Sequence, residues 1–362
     1  MLSCTSVIDD HIKRVSGDTH KTRKEGNMNV KEVKNLIPVV VSSIKKTKVS
    51  GETEVFGCAL TEIEIFDLIE EEGCDNEWLC VEVMKGKEVW YHANFPTIIT
   101  RKNMLNTACA VSYLNWKYGE TGNPCYFSWD KESKKIGVNL RSLVTAKTVT
   151  ADVIANQIAI IADAYEHSAL EIMFLLEGRQ TGDDFVDDIV IPSIHWDNVP
   201  KENEIARLQE NLNNARKAFE EEGKGIGTSK NTSLVRICVM GLDGKERQYP
   251  TLRLQLKEQK RTLTATHLLP YGSELEKGLD MAMAVLRINT KMEYGEFDFD
   301  LFHGRFVYRL SFDIADALVN KEKYKDIAEA VTRSFNKCYP LLAGYIKGTI
   351  PTRELISELE ND

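Results

Sequence analysis

The sequence predicts an α+β protein built from two diverged copies of one structural unit. Its composition, 43% hydrophobic and 28% charged over 362 residues, supports more than one buried core. Hydrophobic spacing switches between the helical and strand periods in an order that occurs twice. Residues of the first half also find counterparts in the second at a nearly constant distance along the chain.

Residues 1–27 are polar, mixed in charge and aperiodic, and are expected to be disordered. From Val30 to Val49 the pattern allows either a helix broken at Pro38 or a short strand. Leu60, Ile63, Phe66 and Ile69 recur at helical spacing before Gly73, which predicts a helix. Trp78 to Met84 and Glu88 to Phe95 flank Lys85-Gly86-Lys87 and predict a hairpin ended by Pro96. Residues 101–118 follow as a helix, with Met104, Leu105, Ala108, Val111 and Leu114 along one side. After a loop at Gly119, Gly122 and Pro124, strands are expected at Cys125 to Trp129 and Ile136 to Leu140, around the polar turn Asp130 to Ser133. Ile154, Ile158, Ile161, Tyr165, Ile172 and Leu176 then mark a long closing helix that stops at Gly178.

The acidic, turn-rich stretch 179–202 reads as a linker. Ile205, Leu208, Leu212, Ala215 and Phe219 predict a second leading helix, ended by Gly223, Gly225 and Gly227. Beyond it the first half recurs. Asn115-Trp-Lys117 and Asn289-Thr-Lys291 lie 174 positions apart (289 less 115), as do Pro96 and Pro270. The offset then becomes 170: Phe127-Ser-Trp129-Asp130 falls on Phe297-Asp-Phe299-Asp300, and Ile136, Val138 and Leu140 fall on Phe306, Tyr308 and Leu310. Tyr165 likewise falls on Phe335 and Gly178 on Gly348. The four-residue difference sits in the loop of Gly122 and Pro124, where a deletion is cheapest.

Each half thus reads helix, hairpin, helix ending in Asn-x-Lys, two more strands and a closing helix. That order, with Asn115 or Asn289 late in the middle helix and an aromatic strand before a polar turn, resembles the YbjN-like family of bacterial sensory transduction regulators. The resemblance covers residues 60–178 and 205–348. It implies two tandem type III secretion chaperone-like units, each an antiparallel sheet packed against helices, and a regulatory or chaperone-like role. The expected partition is a disordered segment 1–27, a first unit 28–178, an acidic linker 179–202, a second unit 203–350 and a polar tail 351–362. The second half departs from the pattern in a longer, more charged hairpin region, Leu234 to Pro270, with a turn at Asp243-Gly244 and an extra strand at Thr251 to Leu256.

Charge and motifs narrow the chemistry. A net charge of −9 argues against broad nucleic-acid binding, though Lys257, Lys260 and Arg261 offer a local basic patch. No run reaches the ~18 apolar residues that span a bilayer, and Asp9, Asp10 and His11 interrupt any signal peptide, so a cytoplasmic location is expected. The eight cysteines, at 4, 58, 74, 80, 109, 125, 238 and 338, contain no C-x-x-C pair and read as reduced thiols. Asp183, Asp184, Asp187 and Asp188, with His195 nearby, carry carboxylates at helical spacing, but in a connector they read as a solvated acidic segment. Gly223-Lys-Gly225-Ile-Gly227-Thr-Ser-Lys230 has the wrong order for a phosphate loop. The histidines at 11, 20, 92, 167, 195, 267 and 303 match no catalytic motif. His92 and His267 precede their prolines by different distances and need not coincide. Trp90, Tyr91, Phe127, Trp129, Phe297, Phe299, Phe302 and Phe306 are expected to be core more than a base-stacking platform, and Asn115 and Asn289 to anchor their helices.

No catalytic, cofactor-binding or metal-ligating residue is therefore singled out, and no cofactor is expected. The predicted role is a non-catalytic protein-binding module, chaperone-like or regulatory, whose partner is another protein and whose binding surface the sequence leaves unassigned. It would act as a monomer with an internal pseudo-dimer. The alternatives are a small-molecule or nucleotide-responsive regulator without catalysis, and an enzyme with an unrecognised site.

Overall fold

The computed structural model describes residues 30–43, 47–55, 58–65, 77–83, 89–121, 123–130, 133–142, 149–189, 225–229, 232–240, 246–257, 262–272, 278–289, 292, 295–300 and 305–313, most of 338–351, and scattered positions of 206–210 and 354–357. Helices and antiparallel sheets make it a mixed α+β protein. Residues 1–27, the basic cluster Lys260 and Arg261, His195 and most of the expected helix from Ile205 to Phe219 lie outside the described residues.

The first half opens with helix α1 (Val30–Ser43), which buries Val33, Ile37, Val40 and Val41 and carries Pro38 inside it. The helix alternative for this stretch therefore holds as far as Ser43, and β1 (Thr47–Val55) follows. β2 (Cys58–Ile65) replaces the helix expected from Leu60 to Ile69. Leu60 and Ile63 mimic a helical step, but Thr61, Ile63 and Ile65 alternate with Glu62 and Glu64, a period-two pattern rich in β-branched residues. Pairing with β1 on one side and β3 (Glu77–Val83) on the other decides between the two patterns. β3 and β4 (Val89–Ile98) form the expected hairpin. Helix α2 (Met104–Thr121), strands β5 (Tyr126–Asp130) and β6 (Lys135–Arg141), and helix α3 (Ala151–Glu177) complete the order.

The second half gives β7 (Gly225–Ser229), β8 (Thr232–Met240), β9 (Glu246–Lys257), β10 (Thr262–Gly272), helix α5 (Gly278–Asn289), β11 (Glu296–Asp300) and β12 (Arg305–Asp313). Gly225 and Gly227 thus lie in a strand rather than at a helix end. Thr251 to Leu256 belongs to β9, which is not an extra strand. Each sheet has six strands, in the orders β1-β2-β3-β4-β6-β5 and β7-β8-β9-β10-β12-β11. The two orders correspond strand for strand, because β2 fills the place that the sequence pattern gave to a helix.

Register follows the same rule. Phe127 pairs with Val138 and Trp129 with Ile136; 170 positions on, Phe297 pairs with Tyr308 and Phe299 with Phe306. Pairing of β4 with β6 breaks between Asn94 and Ile98, and that of β10 with β12 between Leu268 and Gly272. Pro96 and Pro270 sit inside these two breaks, where a residue without an N–H cannot support a ladder bond. His267 occupies the register position of Ala93, so the two strand histidines are not equivalent.

α3 lies over β4 and β6, and Phe95, Phe127, Tyr118 and Tyr165 form the aromatic centre of the core. Phe95 stacks on Tyr165 at 4.7 Å and Tyr118 meets Phe127 edge-on at 5.0 Å, geometries that add to the apolar area they bury. Thr150 caps the start of α3 by accepting from the Val153 N–H. At its end the N–H groups of Gly178 and Arg179 donate to Leu175 and Phe174, a Schellman closure with Gly178 at φ 75. Gly348 and Thr349 repeat those bonds to Tyr345 and Gly344, with Gly348 at φ 73.

The stretch 179–202 begins with ordered structure. Helix α4 (Gly182–Asp188) is closed at its start by a reciprocal pair between Thr181 and Asp184, which holds the Asp184 carboxyl below its usual range. Its Phe185 is fully buried, and the helix packs on α2 and α3. In the expected polar tail, Leu355 is fully buried as well, and its N–H bonds the Pro351 carbonyl as that of Phe185 bonds Thr181. In each half a fully buried apolar side chain thus follows seven residues after the closing glycine. Among the described residues, no helix is long and apolar enough to cross a membrane.

Candidate functional site

The helices α2 and α5 pack against each other, and each also packs on a strand of the opposite half: α2 on β11, and α5 on β5. Each helix contacts the corresponding strand of its own half too. The result is a seam with local two-fold character. It explains why α2 and α5 bury residues on nearly every side, including Thr107, Ala110, Ser112, Ala282 and Ala284.

One asparagine fixes each helix to its strand. Asn115 Nδ2 donates to the Phe127 carbonyl at 2.9 Å, and the Phe127 N–H donates to Asn115 Oδ1 at 2.7 Å. Asn289 makes the same two bonds with Phe297, at 2.9 and 2.8 Å. β5 and β11 are outermost in their sheets, so a side-chain amide supplies what a further strand would otherwise provide. Both asparagines anchor their helices to a strand; Asn289 is the last residue of α5, but Asn115 lies six residues before the end of α2, which does not stop at Asn115-Trp-Lys117 as expected and continues to Thr121.

The strands next to these edges send an arginine each way across the seam. Arg141 of β6 donates to the Met292 carbonyl just past α5, with its guanidinium 5.2 Å from the Trp90 ring. Arg309 of β12 donates to the Trp116 carbonyl in the last turns of α2, at 3.4 Å. Both cations meet the negative end of the opposite half's helix. A Cβ on Gly119 would fall on the Arg309 guanidinium, so any other residue there requires that side chain to shift.

Around Arg309 the halves differ. In the first, Asn139 donates to Ser128 Oγ at 2.9 Å. At the corresponding positions of the second, Arg309 forms an ion pair with Asp298, and both are buried. Glu296, opposite Arg309 in the ladder, is only 7% exposed, and its Oε2 has no hydrogen-bond partner among the described residues. Burial pushes this carboxyl up to about 8, against the opposing pull of Arg309. Cys125, from the first half, is fully buried; desolvation raises its thiol and the Asp163 and Glu296 charges add to the rise. It is therefore no thiolate nucleophile.

Other sequence candidates are dispersed. Asp184, Asp187 and Asp188 lie exposed on α4, and Gln180 donates to Asp188 at 3.0 Å. Among the described residues no three His, Cys, Asp or Glu side chains group as metal ligands. Tyr91, Phe127, Trp129, Phe297, Phe299 and Phe306 are core, whereas Trp90 is partly exposed and lies 4.6 Å from the His92 ring. Phe302 lies outside the described residues. Arg141, Arg309, Glu296 and Asp298 escaped the sequence reading, and Gly119, expected in a loop, lies inside α2. The available signals were three replacements at the 170 offset, of Tyr126 by Glu296, Ser128 by Asp298 and Asn139 by Arg309.

No protein-family model, curated protein or solved structure matches the chain.

Proposed function

We propose that this chain is a non-catalytic protein-binding module, a chaperone-like or regulatory adaptor. In this reading two YbjN-like, type III secretion chaperone-like units descend from a tandem duplication and act as a pseudo-dimer within one cytoplasmic chain. The reciprocal packing of α2 and α5 is the observation that carries it. Each unit places the same helix, held by the same asparagine, against the other unit's edge strand, which is how two copies of an interaction module associate. The described cross-seam bonds of Arg141 and Arg309 join the two halves, which supports the same reading.

Two measurements test the reading. Native pull-down with mass spectrometry is expected to recover one protein in stoichiometric amount, and repeated recovery of none counts against an adaptor. Light scattering is expected to give a monomer, and an obligate dimer of folded chains contradicts the internal pseudo-dimer. A thermal-shift screen separates the ligand-responsive alternative, because a ligand at a hundredfold excess over its Kd stabilises by about 2.7 kcal/mol.

A further inference from the structure

We propose that Glu296, Arg309 and Asp298 form a proton-operated latch on the seam, closed while Glu296 keeps its proton and opened when the proton is lost to solvent. The cluster holds two carboxyl groups and one guanidinium. Arg309 is ion-paired with Asp298, and it also donates to the Trp116 carbonyl across the seam. With Glu296 protonated, the buried charges balance. Loss of the proton leaves one uncompensated negative charge at a buried site, and such a charge is relieved by hydration.

The surroundings determine where hydration must enter. β12 contributes Arg309 and Tyr308, and β11 contributes Asp298. Cys125, immediately before β5 of the first half, lies close enough for the Glu296 charge to disfavour its thiolate. α2 contributes Gly119 and the Trp116 carbonyl. In the same turns, the Lys117 ammonium lies 4.6 Å from the Trp116 ring, and the Tyr118 hydroxyl donates to Ala164 at 3.3 Å. α5 contributes the neutral Asn289, bonded to Phe297, while Asp280 at its other end accepts from Tyr345. α2 of the first half packs on β11, so in this latch water reaches the carboxylate by parting the two.

The sign follows from the position of the proton. The Glu296 carboxyl lies near 4.5 in the unfolded chain and about 8 in the closed seam. Below the lower value both states hold the proton, and the closed form suffers no penalty. Between the two the closed form holds one proton more, so its equilibrium constant falls as pH rises, by up to about tenfold per pH unit. Above the higher value the loss is complete.

The test uses the full chain and its Glu296→Gln variant, in which a neutral amide replaces the protonated carboxyl. The urea midpoint of the wild type is expected to fall between pH 6 and 8.5, and small-angle scattering to show a larger radius at pH 9 than at pH 6. In Glu296→Gln most of that fall and the expansion are expected to vanish. Parallel pH profiles for the two proteins overturn the latch, as does a fall in midpoint without expansion. Should the variant not fold, infrared spectroscopy of the wild type decides: a protonated-carboxyl band at pH 6 that fades by pH 9 supports the latch, and its absence at pH 6 overturns it.

Discussion

Asn115 and Phe127, twelve residues apart, exchange two hydrogen bonds; Asn289 and Phe297 exchange the same two across eight residues. The segment between asparagine and strand is four residues shorter in the second half, because α2 runs six residues past Asn115 to Thr121 whereas α5 ends at Asn289, yet the contact is the same. The length of such a connection is cheap to change, whereas leaving a buried N–H or carbonyl unpaired is not.

Replacing either asparagine by Ala strands one donor and one acceptor of an edge strand. Asn115→Ala and Asn289→Ala are each expected to destabilise by about 2–4 kcal/mol. Asp at either position restores only the acceptor and sets a carboxylate against a carbonyl, so it should rescue little. Urea denaturation of the four variants gives the comparison.

Arg309→Asn alone leaves Asp298 buried and uncompensated, with an expected loss of about 3–5 kcal/mol. Adding Asp298→Ser installs the first half's Ser128 and Asn139 pair, and should recover more than about 1 kcal/mol of that loss. Additive losses would mean that the two side chains are not coupled.

Gly119→Ala places a methyl where the Arg309 guanidinium sits. The two changes should therefore be strongly non-additive: in an Arg309→Asn, Asp298→Ser background, Gly119→Ala is expected to cost at least about 1 kcal/mol less than in the wild type. Equal costs in the two backgrounds would show that the glycine serves α2 alone.

Phe185→Ala opens a cavity beneath α4, at an expected cost of about 3–5 kcal/mol. It should also speed proteolytic cleavage near Gly182–Asp188, because among the described side chains of this short helix Phe185 is the one fully buried. Leu355→Ala is expected to act similarly on the second half, at about 2–5 kcal/mol.

Gly178 and Gly348 have left-handed backbones with open space where a Cβ would be. Ala at either site should cost about 1–2 kcal/mol from backbone strain alone, and Asn less. Thermal unfolding of the paired variants checks that the two ends respond alike.

Along the chain alone, the 174 and 170 offsets, both prolines, both asparagines and both closing glycines were legible. Each of these residues answers a local requirement, of backbone angle, missing donor or buried alternation, that the neighbouring residues express. β2 was not legible, because Leu60 and Ile63 fit either period until β1 and β3 flank them. Phe185 and Leu355 were hidden by polar surroundings, since one anchoring side chain makes no periodicity. The seam emerged from long-range packing. Whether a polar residue of β11 meets water or another helix depends on what packs over the strand, and Arg309 acquires its role from a carbonyl and a glycine 190 or more positions earlier in the chain. Long-range burial sets the charge of Glu296 in the same way, through desolvation by elements that its own segment does not encode.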